Sequence, residues 1–254
     1  MAKKAIGVLV LHGFAASLDS VNNLEGPLRY LNLPVRIPVL RGHGANSPDA
    51  LQGVAWRDWV ADAENAMRAL LVDVQKVIVI GHGMGSLLAI TLAANNRDKI
   101  DSLVLAAPSV YLPSPVWNRM KLQVLSPIIQ RTFPRWSLPP SYTDKKQARS
   151  DTNYHWAPMD AIRSFLEFRD ITRMRLMDVH CPVLILQSRN DSTVSEDSPK
   201  IISNSISTPA ALKKIKWFTR SEHELFRDCE RDDVIETIAQ YVMGRVDNFM
   251  LAGA

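Results

Sequence analysis

Two cysteines in 254 residues, Cys181 and Cys229, exclude a disulfide framework, and neither stands in a metal-ligand spacing. Both read as small, partly buried hydrophobes, and no metal is expected. No apolar run reaches the ~18 residues that a membrane span needs; Val77–Ile80 and Val183–Leu186 are strand-length. Met1-Ala2-Lys3-Lys4 leads straight into a strand pattern with no apolar leader or cleavage-site pattern, so a cytoplasmic location is the expectation. There is no internal repeat, no low-complexity tract and no nucleic-acid module. A hydrophobic content of 46% beside 22% charged residues excludes wholesale disorder. The length fits one α/β domain with room for an inserted subdomain.

The net charge of +4 is mild but unevenly spread. Arg119, Lys121, Arg131, Arg135, Lys145, Lys146 and Arg149 face a single acid, Asp144, between Ser114 and Ser150. Such an excess reads as a solvated face, or as attraction to an anionic surface such as a lipid interface.

Apolar, β-branched runs at Ile6–Leu11, Val35–Leu40, Val77–Ile80, Leu103–Ala106, Val183–Gln187 and Ile215–Phe218 predict strands. Their near-continuous apolar character suits strands covered on both faces, as in a parallel sheet. Trp56–Leu71 carries apolar residues close to a 3.6 period and predicts a helix. Ser86–Asn95 is small and apolar all round, which predicts a central buried helix, and Val234–Met243 predicts a closing one. Alternating strands and helices imply a doubly wound α/β fold. The alternation breaks between Pro108 and Val179, where prolines cluster with Trp117, Trp136 and Trp156. Residues 1–107 and 179–248 are therefore expected to form the core, and 108–178 an insertion over the sheet.

Chemistry concentrates where strands end. Gly81-His82-Gly83-Met84-Gly85-Ser86 follows a strand and opens a helix, the setting of the G-x-S-x-G nucleophile elbow. Gly81 and Gly85 allow the abrupt turn. Gly83 stands at the middle position, where it suits a strained backbone but brings no hydroxyl. Leu11-His12-Gly13-Phe14 follows the first strand, and its loop is a candidate source of one oxyanion-hole N–H, from Phe14; Met84 would supply the second. Asp191 follows one later strand and His223 follows the next. Nucleophile, acid, histidine is the order of the elbow's triad, and each position lies where an open sheet presents ligands. His43, His82, His155 and His180 read as structural.

These residues carry a resemblance. Leu11-His12-Gly13-Phe14, Arg41-Gly42-His43-Gly44, the elbow, Gln187-Ser188-Arg189-Asn190-Asp191 and Ser221-Glu222-His223 resemble the small carboxylesterase and monoacylglycerol lipase branch of the α/β-hydrolases. The likeness spans nearly the whole chain and is weakest between Pro108 and Val179. It implies no cofactor, and a cap that lines an apolar pocket for short- to medium-chain acyl esters or monoglycerides. Trp117, Phe133, Trp136 and Tyr142 are the candidate cap residues of that pocket.

The departure lies at the centre. Without an Oγ at Gly83 there is no acyl-enzyme, and loss of a triad nucleophile costs on the order of a million-fold in turnover. Ser86 should point away from the pocket, Met84 has no nucleophile, and Cys229 has no elbow to present it. A water activated by His223 would be much slower. Two readings stay open: an ester hydrolase disabled at its nucleophile, and a non-catalytic relative that binds a small apolar ligand. A dinucleotide turn fails on spacing, because Ser86 occupies the last glycine position of G-x-G-x-x-G.

Overall fold

The computed structural model describes residues 3–113 and 134–252. In chain order the elements are β1 (Lys4–Leu11), α1 (Glu25–Tyr30), β2 (Val35–Arg36), α2 (Trp56–Leu70), β3 (Val74–His82), α3 (Met84–Asn95) and β4 (Ile100–Ala106). They continue as β5 (Arg135–Ser137), α4 (Lys145–Arg149), β6 (Trp156–Pro158), α5 (Met159–Met174), β7 (Val183–Ser188), α6 (Asp197–Ser205), β8 (Lys213–Phe218) and α7 (Arg231–Ala252). Six strands form one sheet in the order β2-β1-β3-β4-β7-β8, and every pairing in it is parallel. β5 and β6 form a separate antiparallel pair.

Apolar residues cover both faces of the sheet, as the strand composition requires. Leu9, Leu11, Val77, Val79, Leu103, Leu105, Val183 and Ile185 pack with α2, α3 and α5. Their strand neighbours Val8, Val10, Ile78, Ile80, Val104, Ala106, Leu184 and Leu186 pack with Leu28 of α1 and with Val234, Ile238 and Val242 of α7. Residues 84–93 of α3 are all buried, so the central apolar helix sits where its composition demands. The strand expected over Val35–Leu40 stops at Arg36. Pro38 has no N–H for a ladder, and the Leu40 N–H is instead donated to His12 Nε2 at 3.1 Å.

This order places a switch point at β1. The chain leaves β1 for β2 on one side, then crosses back to form β3 on the other. Loops leaving the carboxyl ends of β1 and β3 therefore diverge, and the crevice between them is where an open α/β sheet binds ligands.

The elbow allows no side chain at two of its glycines. A Cβ on Gly81 would stand 2.2 Å from the Gly85 carbonyl oxygen, and one on Gly85 would stand 2.1 Å from the Leu11 carbonyl oxygen. Both obstacles are backbone, which cannot rotate aside. Gly85→Ala is thus expected to lose about 3 kcal/mol or more, because overpacking of this kind usually costs 1–3. Gly244 meets nothing within 4 Å inside α7, so Gly244→Ala should gain about 0.5–1 kcal/mol. Paired thermal melts check both signs; an unchanged midpoint for Gly85→Ala would refute the close approach of α3 to β1.

Candidate active site

β3 ends at His82, and Gly83 turns the chain into α3 with φ +54° and ψ −114°. The turn is pinned by the Gly83 N–H to the Ala106 carbonyl (3.0 Å), and by the Ser86 N–H to the Gly83 carbonyl (3.1 Å). A Cβ built on Gly83 would stand 3.4 Å from His223 Nε2 and 3.6 Å from Ser109 Oγ. Residue 83 thus points directly at the histidine. Ser86 cannot replace it: its buried hydroxyl donates to the Gly81 carbonyl at 2.8 Å. Cys229, expected to be partly buried, is exposed.

The sequence separates Asp191 and His223 by a whole strand, and the fold brings them together. The carboxylate of Asp191 is buried and accepts His223 Nδ1–H at 3.0 Å through Oδ2 and 3.2 Å through Oδ1. Gln187 Nε2 donates to Oδ2 (2.8 Å), and the N–H groups of Thr193 (2.9 Å) and Val194 (2.8 Å) donate to Oδ1. An ionised carboxylate only accepts, so Nδ1 carries a proton in either state, and in the neutral ring Nε2 turns its lone pair to residue 83. Burial would raise Asp191, but the attraction and hydrogen bond of His223 hold it below the usual carboxylate range. Burial likewise opposes a charge on His223, yet Asp191, Glu224 and Glu222 push it up to about 9.

The histidine loop is clamped by acids that carry no motif. Glu230 accepts the N–H groups of Ser221 (2.7 Å), Arg220 (2.9 Å) and Thr219 (3.3 Å). Asp228 accepts those of Glu222 (2.7 Å), Thr143 (2.8 Å) and Asp144 (2.8 Å), tying the loop to the segment before α4. These partners become readable only when β8 and α7 converge.

On the opposite wall, two buried histidines shape the loop after β1. His43 Nε2 accepts the Ala15 N–H at 3.0 Å, and Ala15 itself has φ +58°. Burial lowers His12 to about 3 and His43 to about 4, so both stay neutral and accept. His82 is lowered to about 3 by burial, and its Nε2 lies 3.0 Å from the His223 carbonyl. His43 and His82 are thus structural, as their motif positions suggest. His155 and His180 are exposed.

These walls enclose a cavity of about 350 Å³. Phe14, Gly83, Met84, Trp136 and His223 line it, so five of the expected site residues meet there. Part of the lining is apolar, with Leu112, Trp136, Leu138, Ile162 and Phe165, and part is polar, with Ser141, Asp151, Asn153, Thr193 and Glu224. Tyr142 does not line the cavity: its hydroxyl donates to Asp151 (3.0 Å), which does. Trp117 and Phe133 lie outside the described residues. Glu224, which no motif marks, is buried beside His223 and pushed up to about 7 by that burial. Its Oε1 accepts Asn153 Nδ2 at 3.2 Å.

Among the described residues, His82, His223 and Glu224 are the group able to offer three metal-ligating atoms, all within 4.8 Å of one another. Ligands on one tetrahedral zinc stand roughly 3.4 Å apart. The His82 and His223 rings are also engaged, with the His223 carbonyl and with Asp191.

Known proteins share this fold over most of their length. A structure described with the metagenome-derived lipolytic enzymes LipS and LipT superimposes with a TM-score of 0.85 at 24% identity, covering 96% of this chain and 95% of that one. The monoacylglycerol lipase of Paleococcus ferrophilus gives 0.73 at 16% identity, covering 96% and 98%. In sequence, a thermostable monoacylglycerol lipase from Bacillus sp. (strain H-257) is 25% identical over 242 residues, 93% of this chain and 90% of that protein. A Bacillus subtilis (strain 168) carboxylesterase is 22% identical over 236 residues, 92% and 91% respectively. With the parallel sheet and the turn from β3 into α3, these likenesses place the protein among the α/β-hydrolases. Within that class the chain belongs to the Hydrolase_4 family, described as Serine aminopeptidase, S33, whose model matches residues 2–230. Its named relatives include members of the carboxylesterase and monoacylglycerol lipase branch. No helix among the described residues is long and apolar enough to cross a membrane.

Proposed function

We propose that this protein binds carboxylic esters in the cavity at Gly83 and hydrolyses them weakly, because the triad of Asp191 and His223 lacks its serine. The observation that carries this reading is the 3.4 Å between His223 Nε2 and a Cβ at position 83. A hydroxyl on that carbon would lie within reach of a base already held in its productive tautomer. The N–H groups of Phe14 and Met84 are the oxyanion donors. Met84 opens α3, so its N–H has no intrahelical partner and the helix dipole favours negative charge there. Within the insertion expected over 108–178, the described residues 134–158 act as a cap while α5 packs into the core, and the exposed bases of α4, Lys145, Lys146 and Arg149, give a weak, salt-sensitive attraction to an anionic lipid interface. Short- to medium-chain acyl esters fit the apolar side of the cavity. Gly83→Ser, assayed with p-nitrophenyl esters, tests the reading. Its failure in a folded variant across acyl lengths would favour a non-catalytic binder of small apolar ligands.

Trp136 sets a second expectation. It is 8% exposed and lines the cavity beside Leu138 and Ile162. In the Gly83→Ser background, Trp136→Ala should shift preference toward longer acyl chains, each newly accommodated methylene being worth about 1 kcal/mol. A chain-length profile identical to that of Gly83→Ser alone would rule out an acyl-site role for this indole.

A further inference from the structure

We propose that Ser109, at the end of the neighbouring strand, supplies the hydroxyl that position 83 lacks and becomes acylated during slow ester turnover. This rests on the ester-hydrolase reading of the cavity. Ser109 Oγ and His223 Nε2 lie 3.6 and 3.4 Å from the same point, the place where a Cβ of residue 83 would stand. A hydroxyl and a base that flank one point in a shared cavity can meet through one water, or directly once the side chain turns. The Ser109 side chain is 5% exposed and lines that cavity.

Its backbone is built for presentation. β3 and β4 pair with His82 opposite Ala106, so the turns that leave them run side by side. Ala107 takes φ +43°, a left-handed conformation that a residue with a Cβ adopts rarely. The turn is held by the Ala107 N–H on the Leu186 carbonyl (2.8 Å), and by Ser198 Oγ donating to the Pro108 carbonyl (2.6 Å). The Ser109 N–H reaches the Gly83 carbonyl at 3.4 Å, which ties this turn to the elbow.

Of the other hydroxyls that line the cavity, Ser137 is exposed and four are committed. Ser141 and Thr193 bind each other at 3.0 Å, Ser192 donates to Glu222, and Tyr154 donates to the Ala45 carbonyl at 3.0 Å. Among the described residues no hydrogen bond occupies the Ser109 hydroxyl.

In the acylation step Ser109 Oγ bonds to the ester carbonyl carbon as its proton passes to His223 Nε2. The tetrahedral oxyanion rests on the Phe14 and Met84 N–H groups. Its collapse breaks the bond to the alcohol oxygen, which takes the proton from His223 and leaves. Water then attacks the Ser109 ester, giving its proton to His223. Collapse releases the carboxylic acid and returns the proton to Ser109. The sum is ester plus water to acid plus alcohol.

The test treats the protein carrying Gly83 with a fluorophosphonate, which traps serines activated by a neighbouring base, followed by peptide mapping. Covalent label on Ser109 is expected, lost in Ser109→Ala and in His223→Ala. Turnover of p-nitrophenyl butyrate should fall about a hundred-fold in Ser109→Ala, well short of the million-fold that an aligned triad serine commands. The labelling rate should rise with pH as His223, which faces Asp191, Glu222, Glu224 and His82, loses its proton. Ser109→Cys guards against a folding artefact: its thiol should hold the butyryl group as a mass increase on the intact protein. No label, label elsewhere, or Ser109→Ala with undiminished turnover would overturn the proposal. An active Gly83→Ser variant beside an unlabelled native chain would sink Ser109 alone, whereas an inactive, folded Gly83→Ser sinks the ester-hydrolase reading itself.

Discussion

Gly83→Ser is expected to raise p-nitrophenyl butyrate hydrolysis by about a thousand-fold or more over the parent protein. Removing a triad serine from an intact enzyme costs about a million-fold, and any slow route already present reduces the gain from restoring it. The magnitude follows from geometry that needs no rebuilding. His223 Nε2 already faces position 83, and the nearest atoms to a new Cβ, at 3.4, 3.6 and 3.8 Å, include no severe clash. The backbone does object. Gly83 sits at φ +54°, where any side chain brings strain of about 1–3 kcal/mol. Gly83→Ser and Gly83→Ala should therefore both melt lower than the parent by several degrees. Only the serine should gain activity. That divergence separates a restored nucleophile from a general effect of altering the elbow, and equal activities for the two variants would sink the triad reading.

Much of this site was legible because its residues stand at strand ends, where short apolar runs stop abruptly. His12, Gly83, Asp191 and His223 each follow such a run, and in a parallel sheet the carboxyl ends share one edge. What pattern could not reach was contact between segments distant in sequence. Ser109 lies two residues past a positive-φ alanine that nothing in Ala106-Ala107-Pro108 announces. Glu224 reads as one more acid in a charged stretch until burial and Asn153 single it out. Tyr142 shows the converse. An aromatic in a proline-rich segment suggested a pocket wall, but a phenol satisfied by Asp151 stands one shell back. The over-long estimate of β2 has a plainer cause, since apolar patterning does not register that Pro38 cannot donate.

In the Gly83→Ser background, Asp191→Asn should lower turnover near neutral pH by about ten-thousand-fold. The amide can donate to His223 Nδ1, which would turn the proton toward position 83 and leave the serine without a base. Its pH signature distinguishes this from simple loss of packing. With Asp191 present, His223 is pushed up to about 9, so much of it is protonated at neutrality, and kcat/KM should climb with pH up to that value. Once the carboxylate is gone, burial dominates and the histidine titrates lower, so a weaker profile should level off earlier. Stability moves in step. A histidine raised from 6.5 to about 9 contributes stability that is complete below 6.5 and disappears as pH rises through 9. Asp191, held below its usual range, contributes stability above that range and loses it as pH falls through its lowered value. Urea midpoints measured on either side of the histidine window should therefore decline with pH for the paired protein and stay nearly flat for Asp191→Asn. Parallel slopes in the two proteins would mean that the carboxylate is not what charges this histidine.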